Sequence, residues 1–255
     1  MATLVAALCW GFSVISTFNR KGATILTLPI SWPLPCKIGH HMRPATNKAP
    51  NVLTFIHLPT IRLNEITEAA NILEQDSFGP KVYELSDGNM LKLFRRKRLL
   101  SSALLRPQSL RFCANAVSLH QRGIPTLTPL KLYQLDDPAW TAVLYRPLPG
   151  KTLSQILKTD SEAWPNLLPK LAQFINHLHE NGIYFRSLHL GNIVLTPDST
   201  LGLIDIADLH VRRGSLSPGR IRRNQEHFDK YLRKEGLTLD SAALWTHCAL
   251  IRKTP

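Results

Sequence analysis

The sequence predicts an α+β fold in which a β-rich first half passes through a strand-to-turn connection into a helical second half. Two short apolar runs, KVYEL and NMLKLF, flank the turn residues Ser86-Asp87-Gly88 and read as a β-hairpin. Later, Leu167, Leu168, Leu171, Phe174, Ile175 and Leu178 repeat with helical spacing and share one face. Between these patterns lies the Pro/Gly turn Pro147-Leu148-Pro149-Gly150. The 255 residues can bury one large core or two small lobes, and 44% hydrophobic with 19% charged residues is a globular composition, which excludes disorder throughout.

In chain order, residues 1–18 carry no charge, and the run ATLVAALCWGFSVIS raises the question of a leader or an anchor. A signal peptide begins with basic residues, whereas here Arg20 and Lys21 follow the apolar run. As an anchor it is marginal in length, and those charges would hold the remainder in the cytoplasm. Prolines 29, 33, 35 and 44, the late first acid Glu65 and the internal Met42 leave two main alternatives for residues 1–60, a poorly ordered segment or a wrongly extended start. An organelle transit peptide is a third.

From residue 61 the pattern is globular. It predicts a helix over Leu63 to Leu73, the hairpin, and a helix over Leu110 to Leu119 that stops at Gly123-Ile124-Pro125. A strand over Thr141 to Tyr145 then enters the Pro/Gly turn, which divides the chain into segments 61–145 and 146–255. The long helix of the second segment ends at Asn181-Gly182. Strands NIVL and LGLIDI follow, joined by Thr196-Pro197-Asp198. An amphipathic helix through Phe228, Tyr231 and Leu232 and a last helix over Ala242 to Leu250 complete the order.

A net charge of +13 points to an anionic partner such as phosphate groups, nucleic acid or an acidic membrane surface. Residues 1–41 hold Arg20, Lys21 and Lys37 and no acid, so most of that charge belongs to the rest of the chain. Basic runs with few interleaved aromatics and no reader motif make nucleic acid the weakest of the three partners. Cys9, Cys36, Cys113 and Cys248 lie far apart without CxxC or zinc-type spacing, so neither a disulfide framework nor structural zinc is expected, and a reducing cytoplasm is the default.

The stretch YFRSLHLGNIVL followed by LGLIDIADLH carries the most chemistry. It puts Asn192 in a turn and Asp205 at the end of an apolar strand, where an aspartate is depleted and costly without a partner. A hairpin that brings them together supplies oxygen ligands suited to magnesium bound with phosphates. The plainer alternative makes Asn192 a turn residue and Asp205 a cap.

With their flanks, these residues resemble the catalytic segment of the protein-kinase-like superfamily, especially the HGDLHPGN form of aminoglycoside kinases and bacterial lipopolysaccharide core (heptose/Kdo) kinases. Aligned on Leu188-His189 and Gly191-Asn192, the chain reads Phe185-Arg186-Ser187 where such families carry His-Gly-Asp or His-Arg-Asp. Lys92 in MLKLF stands where the family has its nucleotide-phosphate lysine. Phe78-Gly79-Pro80 stands at the phosphate-covering loop with a single glycine, and Tyr145 to Leu153 resembles the hinge. The basic run KLFRRKR and the continuation Ile206 to Arg213 are similar to the lipopolysaccharide kinases and to related toluene- and solvent-tolerance proteins.

The resemblance implies a two-lobed kinase-like fold with a β-rich N-lobe over 61–145 and a helical C-lobe over 146–255. It implies ATP and Mg2+ as cofactors, with Lys92, Gly79, Asn192 and Asp205 at the nucleotide and Asn192 and Asp205 on the metal. Asp208, in the heptose-kinase-like Ile206 to His210 stretch, is the alternative ligand. Ser187 occupies the catalytic aspartate's place, and His189 is the nearby group that titrates near neutrality. The helix glutamate that the family pairs with its lysine is also missing, because no acid lies between Asp87 and Asp136, and Asn115 can offer only a hydrogen bond. The expected partners are ATP and the anionic lipopolysaccharide core or inner-leaflet lipid, in the cytoplasm or peripherally at the inner membrane. An inactive pseudokinase with a protein partner is the alternative.

Overall fold

The computed structural model describes residues 53–96, 107–237 and 239–253. Six strands form one sheet: β1 (Phe55–Leu58), β2 (Asn71–Asp76), β3 (Gly79–Glu84), β4 (Met90–Arg95), β5 (Thr128–Leu135) and β6 (Trp140–Arg146). Their order is β1-β5-β6-β4-β3-β2, with β1 parallel to β5 and every other pair antiparallel. Helix α1 (Thr60–Thr67) follows β1, and α2 (Gln108–His120) packs against β5 and β6.

Side-chain alternation along β4 sets the position of the site. Leu91 and Leu93 join Leu58, Tyr133, Leu135 and Ala142 in a small core on one face, with Leu63 and Ile66 of α1 against it. Lys92 and Phe94 therefore face the other side, toward Phe112 of α2. There Phe94, Phe112, Leu132, Val143 and Tyr145 begin the main apolar cluster, which continues without a break into the second half of the chain.

That half contains α3 (Leu153–Thr159), α4 (Trp164–Glu180), α5 (Pro218–Glu235) and α6 (Ser241–Lys253). Short strands β7 (Lys151–Thr152), β9 (Ile193–Leu195) and β10 (Leu201–Leu203) form one small sheet, and β8 (Ile183–Phe185) pairs with β11 (Leu209–Val211) in another. Phe112, Phe185 and Phe228 are fully buried, worth roughly 1.5–3 kcal/mol each. Gly202 lets the halves meet, because a Cβ there would lie 2.5 Å from the Pro125 carbonyl oxygen. Beside it Thr126 Oγ1 donates to the Leu203 carbonyl at 2.6 Å.

Helix ends follow local chemistry. Thr152 and Gln155 form a capping box on α3, with Gln155 N–H donating to Thr152 Oγ1 at 3.1 Å and Thr152 N–H to Gln155 Oε1 at 2.9 Å. Helix α2 ends as the Gly123 turn predicts, with Gly123 at φ +67° and Ile124 N–H donating back to Leu119 O at 3.0 Å.

Two expectations are corrected. The helix anticipated over Leu63 to Leu73 stops at Thr67, and Ile72 and Leu73 belong to β2. Cross-strand pairing with β3 overrides their helical spacing, and every residue of β2 is exposed, so no buried face marked it as a strand. Residues 55–58, within the segment 1–60, form strand β1. Asp205 does not end a strand: β10 stops at Leu203, and Asp205 takes a left-handed conformation (φ 51°, ψ 45°) that opens a short 3-10 turn over Ile206–Asp208. Residues 1–52, including the apolar run, Met42, Cys9 and Cys36, lie outside the described residues, as do Lys97 and Arg98 of the basic run. Among the described residues no helix is long and apolar enough to cross a membrane.

Candidate functional site

A cleft of about 280 Å3 opens where β4 and the β2–β3 turn face the segment after β10. Its walls carry Lys81, Lys92 and Arg95 from the sheet and Ser187, Asp205 and Asp208 from the second half, with Asp76, Phe78, Gln108 and Trp140 at its margin. At its centre Lys92 Nζ reaches Asp205 Oδ1 at 2.6 Å across 113 positions of sequence. The lysine side chain is only 11% exposed and the aspartate 49%. Phe94 and Phe112 lie under the ammonium, each ring centroid 6.0 Å away. The sheet thus buries the cation and the αL turn delivers its counter-ion. Aspartate is among the residues that tolerate this backbone conformation.

Beside that pair, Ser187 Oγ donates to Asp208 Oδ2 at 2.7 Å. Asp208 Oδ1 is buried with no hydrogen-bond partner. Asn115 does not reach Lys92's charge. Its Nδ2 donates to the carbonyls of Ile206 at 2.7 Å and Leu209 at 2.9 Å, pinning α2 to the turn that holds Asp208. Asn192 is buried and donates Nδ2 to the Ser187 carbonyl at 3.0 Å, so its amide holds the serine's backbone.

His189 does not line the cleft. Its ring stacks on Tyr231 of α5 at 3.9 Å between centroids, and its Nδ1 accepts the Gly191 N–H at 3.2 Å. Burial pushes its pKa down, partly offset by Glu235, whose Oε1 is 3.6 Å from Nδ1. A neutral ring with Nδ1 as acceptor suits both contacts. Glu235 also accepts from Ser154 and pairs with Lys158, tying α5 to α3. Gly79 opens β3 at φ +110°, and its neighbour Phe78, rather than Gly79 itself, lines the cleft. Phe78 is stacked under Arg95, whose guanidinium lies 3.3 Å from the ring centroid.

Sequence reasoning missed Asp76, Lys81, Arg95, Gln108 and Trp140 as wall residues. Only Asp76-Ser77-Phe78 left a readable signal, an Asx turn in which Asp76 Oδ1 accepts the Phe78 N–H at 2.8 Å. Among the described residues no group of three or more His, Cys, Asp or Glu side chains is arranged to hold a metal ion. The half-exposed Asp205 carboxylate on the cleft wall is nevertheless compatible with magnesium, which takes one or two carboxylates together with phosphates and water. No protein-family model and no curated protein matches this chain.

Proposed function

We propose that the chain is a protein-kinase-like, ATP-dependent phosphotransferase related to lipopolysaccharide core sugar kinases, holding Mg-ATP in the cleft between its β-rich and helical lobes. The observation that carries this reading is the Lys92–Asp205 pair, a buried cation on a central strand of the sheet meeting a carboxylate on the opposite wall. In such a site Lys92 would bind nucleotide phosphates and Asp205 the magnesium, which neutralises phosphate charge. Exposed Arg212, Arg213, Arg222 and Arg223 would face an anionic glycolipid or the inner leaflet from the cytoplasmic side. The deciding experiment is label transfer from γ-labelled ATP to core oligosaccharides. Transfer that is lost in Lys92→Met is expected, and no transfer to any core oligosaccharide contradicts the sugar-kinase reading.

A specific observation favours a second reading, a pseudokinase that binds nucleotide and regulates a protein partner. The place of the family's catalytic carboxylate holds Ser187, whose hydroxyl is already committed to Asp208, and α2 offers Asn115 instead of an acid. Nucleotide affinity without transfer to any acceptor would support this reading.

A further inference from the structure

The Ser187–Asp208 pair has the geometry of a nucleophile beside its base, a hydroxyl donating to a carboxylate at 2.7 Å in a cleft wall. Both partners are fixed through their backbones. On the aspartate side, Asn115 holds the carbonyls of Ile206 and Leu209, which bracket Asp208. On the serine side, Asn192 holds the carbonyl of Ser187 itself, and fully buried Asn224 donates to the Phe185 carbonyl at 2.8 Å. Four hydrogen bonds from three asparagines on separate elements therefore converge on the two short segments that carry the pair.

The carboxylate is poorly disposed to serve an external acceptor. One of its oxygens is taken by Ser187, and the other is buried without a partner. The hydroxyl positioned to use Asp208 is the protein's own.

We propose that Ser187 is itself the phosphoryl acceptor, modified within the same molecule by the nucleoside triphosphate bound in the cleft. This rests on the nucleotide-binding reading above. In the transfer, a bond forms between Ser187 Oγ and the γ-phosphorus, and the bond from that phosphorus to the β–γ bridging oxygen breaks. The electron pair departs with the nucleoside diphosphate, and the serine proton passes to Asp208 Oδ2. Once Asp208 gives that proton up to solvent, its carboxylate and the product phosphoserine, which carries about −1.5 to −2 charge at neutral pH, repel, and the Ser187–Asp208 contact opens.

The test uses the full chain, treated with phosphatase, repurified and incubated with Mg2+ and γ-labelled ATP, with peptide mass spectrometry to locate phosphate. One phosphoryl group on Ser187 is expected, at a first-order rate independent of protein concentration. Ser187→Ala abolishes the label, and Asp208→Asn slows labelling by about 10²-fold or more. Thermal stabilisation by Mg-ATP, measured on the same samples, reports whether the cleft binds nucleotide. Stabilisation with no phosphate on Ser187, with phosphate only elsewhere, or with labelling that depends on protein concentration overturns the acceptor role and leaves nucleotide binding standing. Absence of stabilisation in the wild type overturns both.

Discussion

Replacing Asp205 by asparagine leaves the Lys92 ammonium buried without its counter-ion, while replacing Lys92 by methionine leaves an aspartate that water can still reach. The two side chains are 11% and 49% exposed, so the pair is asymmetric, and the two substitutions should differ in cost although they break the same 2.6 Å contact. Breaking a fully buried pair costs about 3–5 kcal/mol. The half-open aspartate and the two phenylalanine rings under the ammonium reduce this to about 2–3 kcal/mol for Asp205→Asn. Asparagine tolerates the left-handed backbone that Asp205 adopts, so the loss reports charge rather than strain. Lys92→Met puts an apolar chain against Phe94 and Phe112 and should remain within about 1 kcal/mol of wild type. The double variant should match Lys92→Met, giving a coupling energy of about 2–3 kcal/mol. Urea denaturation with unchanged m-values is the assay. Equal stability of Asp205→Asn and wild type, or a greater loss in Lys92→Met than in Asp205→Asn, would refute the asymmetry.

Three further predictions concern the scaffold. His179 is buried and its pKa is lowered from 6.5 to about 4, mainly by desolvation. Because the folded value lies below the unfolded one, its contribution is fully present above pH 6.5 and is lost as pH falls toward 4, by about 3 kcal/mol at most. His179→Leu should flatten that part of the stability–pH curve, and an unchanged slope would contradict the assignment. Asn115→Ala removes both hydrogen bonds to the turn around Asp208 and should cost about 1–3 kcal/mol in chemical denaturation. Gly202→Ala drives a Cβ against the Pro125 backbone and should cost about 1–3 kcal/mol, read as a lowered Tm, and a neutral result would mean that this junction yields easily.

The parts of the fold that were legible in the sequence share one property, a one-sided burial pattern or a turn with its own chemistry. Helix α4 shows the pattern in Leu168, Leu171, Ile175 and Leu178, all buried, and the β3–β4 hairpin shows the turn in Asp87, whose carboxylate accepts the Asn89 N–H. Strand β2 lacks the burial pattern, since all its residues are exposed, and only the Asx turn at its end was readable. Strand β5 has a proline, Pro129, as its second residue and a register shift just after it, which blur its alternation, and it went unanticipated. At the site, Lys92, Ser187 and Asp205 line one cleft. What each touches was not legible. That Asp208 turns toward Ser187, that Asn115 donates to the carbonyls of Ile206 and Leu209, and that His189 packs on Tyr231 all depend on a 3-10 turn and on α5, whose positions come from tertiary packing.

Thermal unfolding with and without Mg-ATP asks whether the cleft around Lys92 and Asp205 binds the nucleotide. At about 100 times the dissociation constant, binding adds about 2.7 kcal/mol, a rise in Tm of roughly 5–11 °C for a domain of this size. That rise is expected in the wild type and its loss in both Lys92→Met and Asp205→Asn, with each variant compared to its own ligand-free Tm. A wild-type Tm that does not move with Mg-ATP, or a rise that both variants keep, would contradict binding in that cleft.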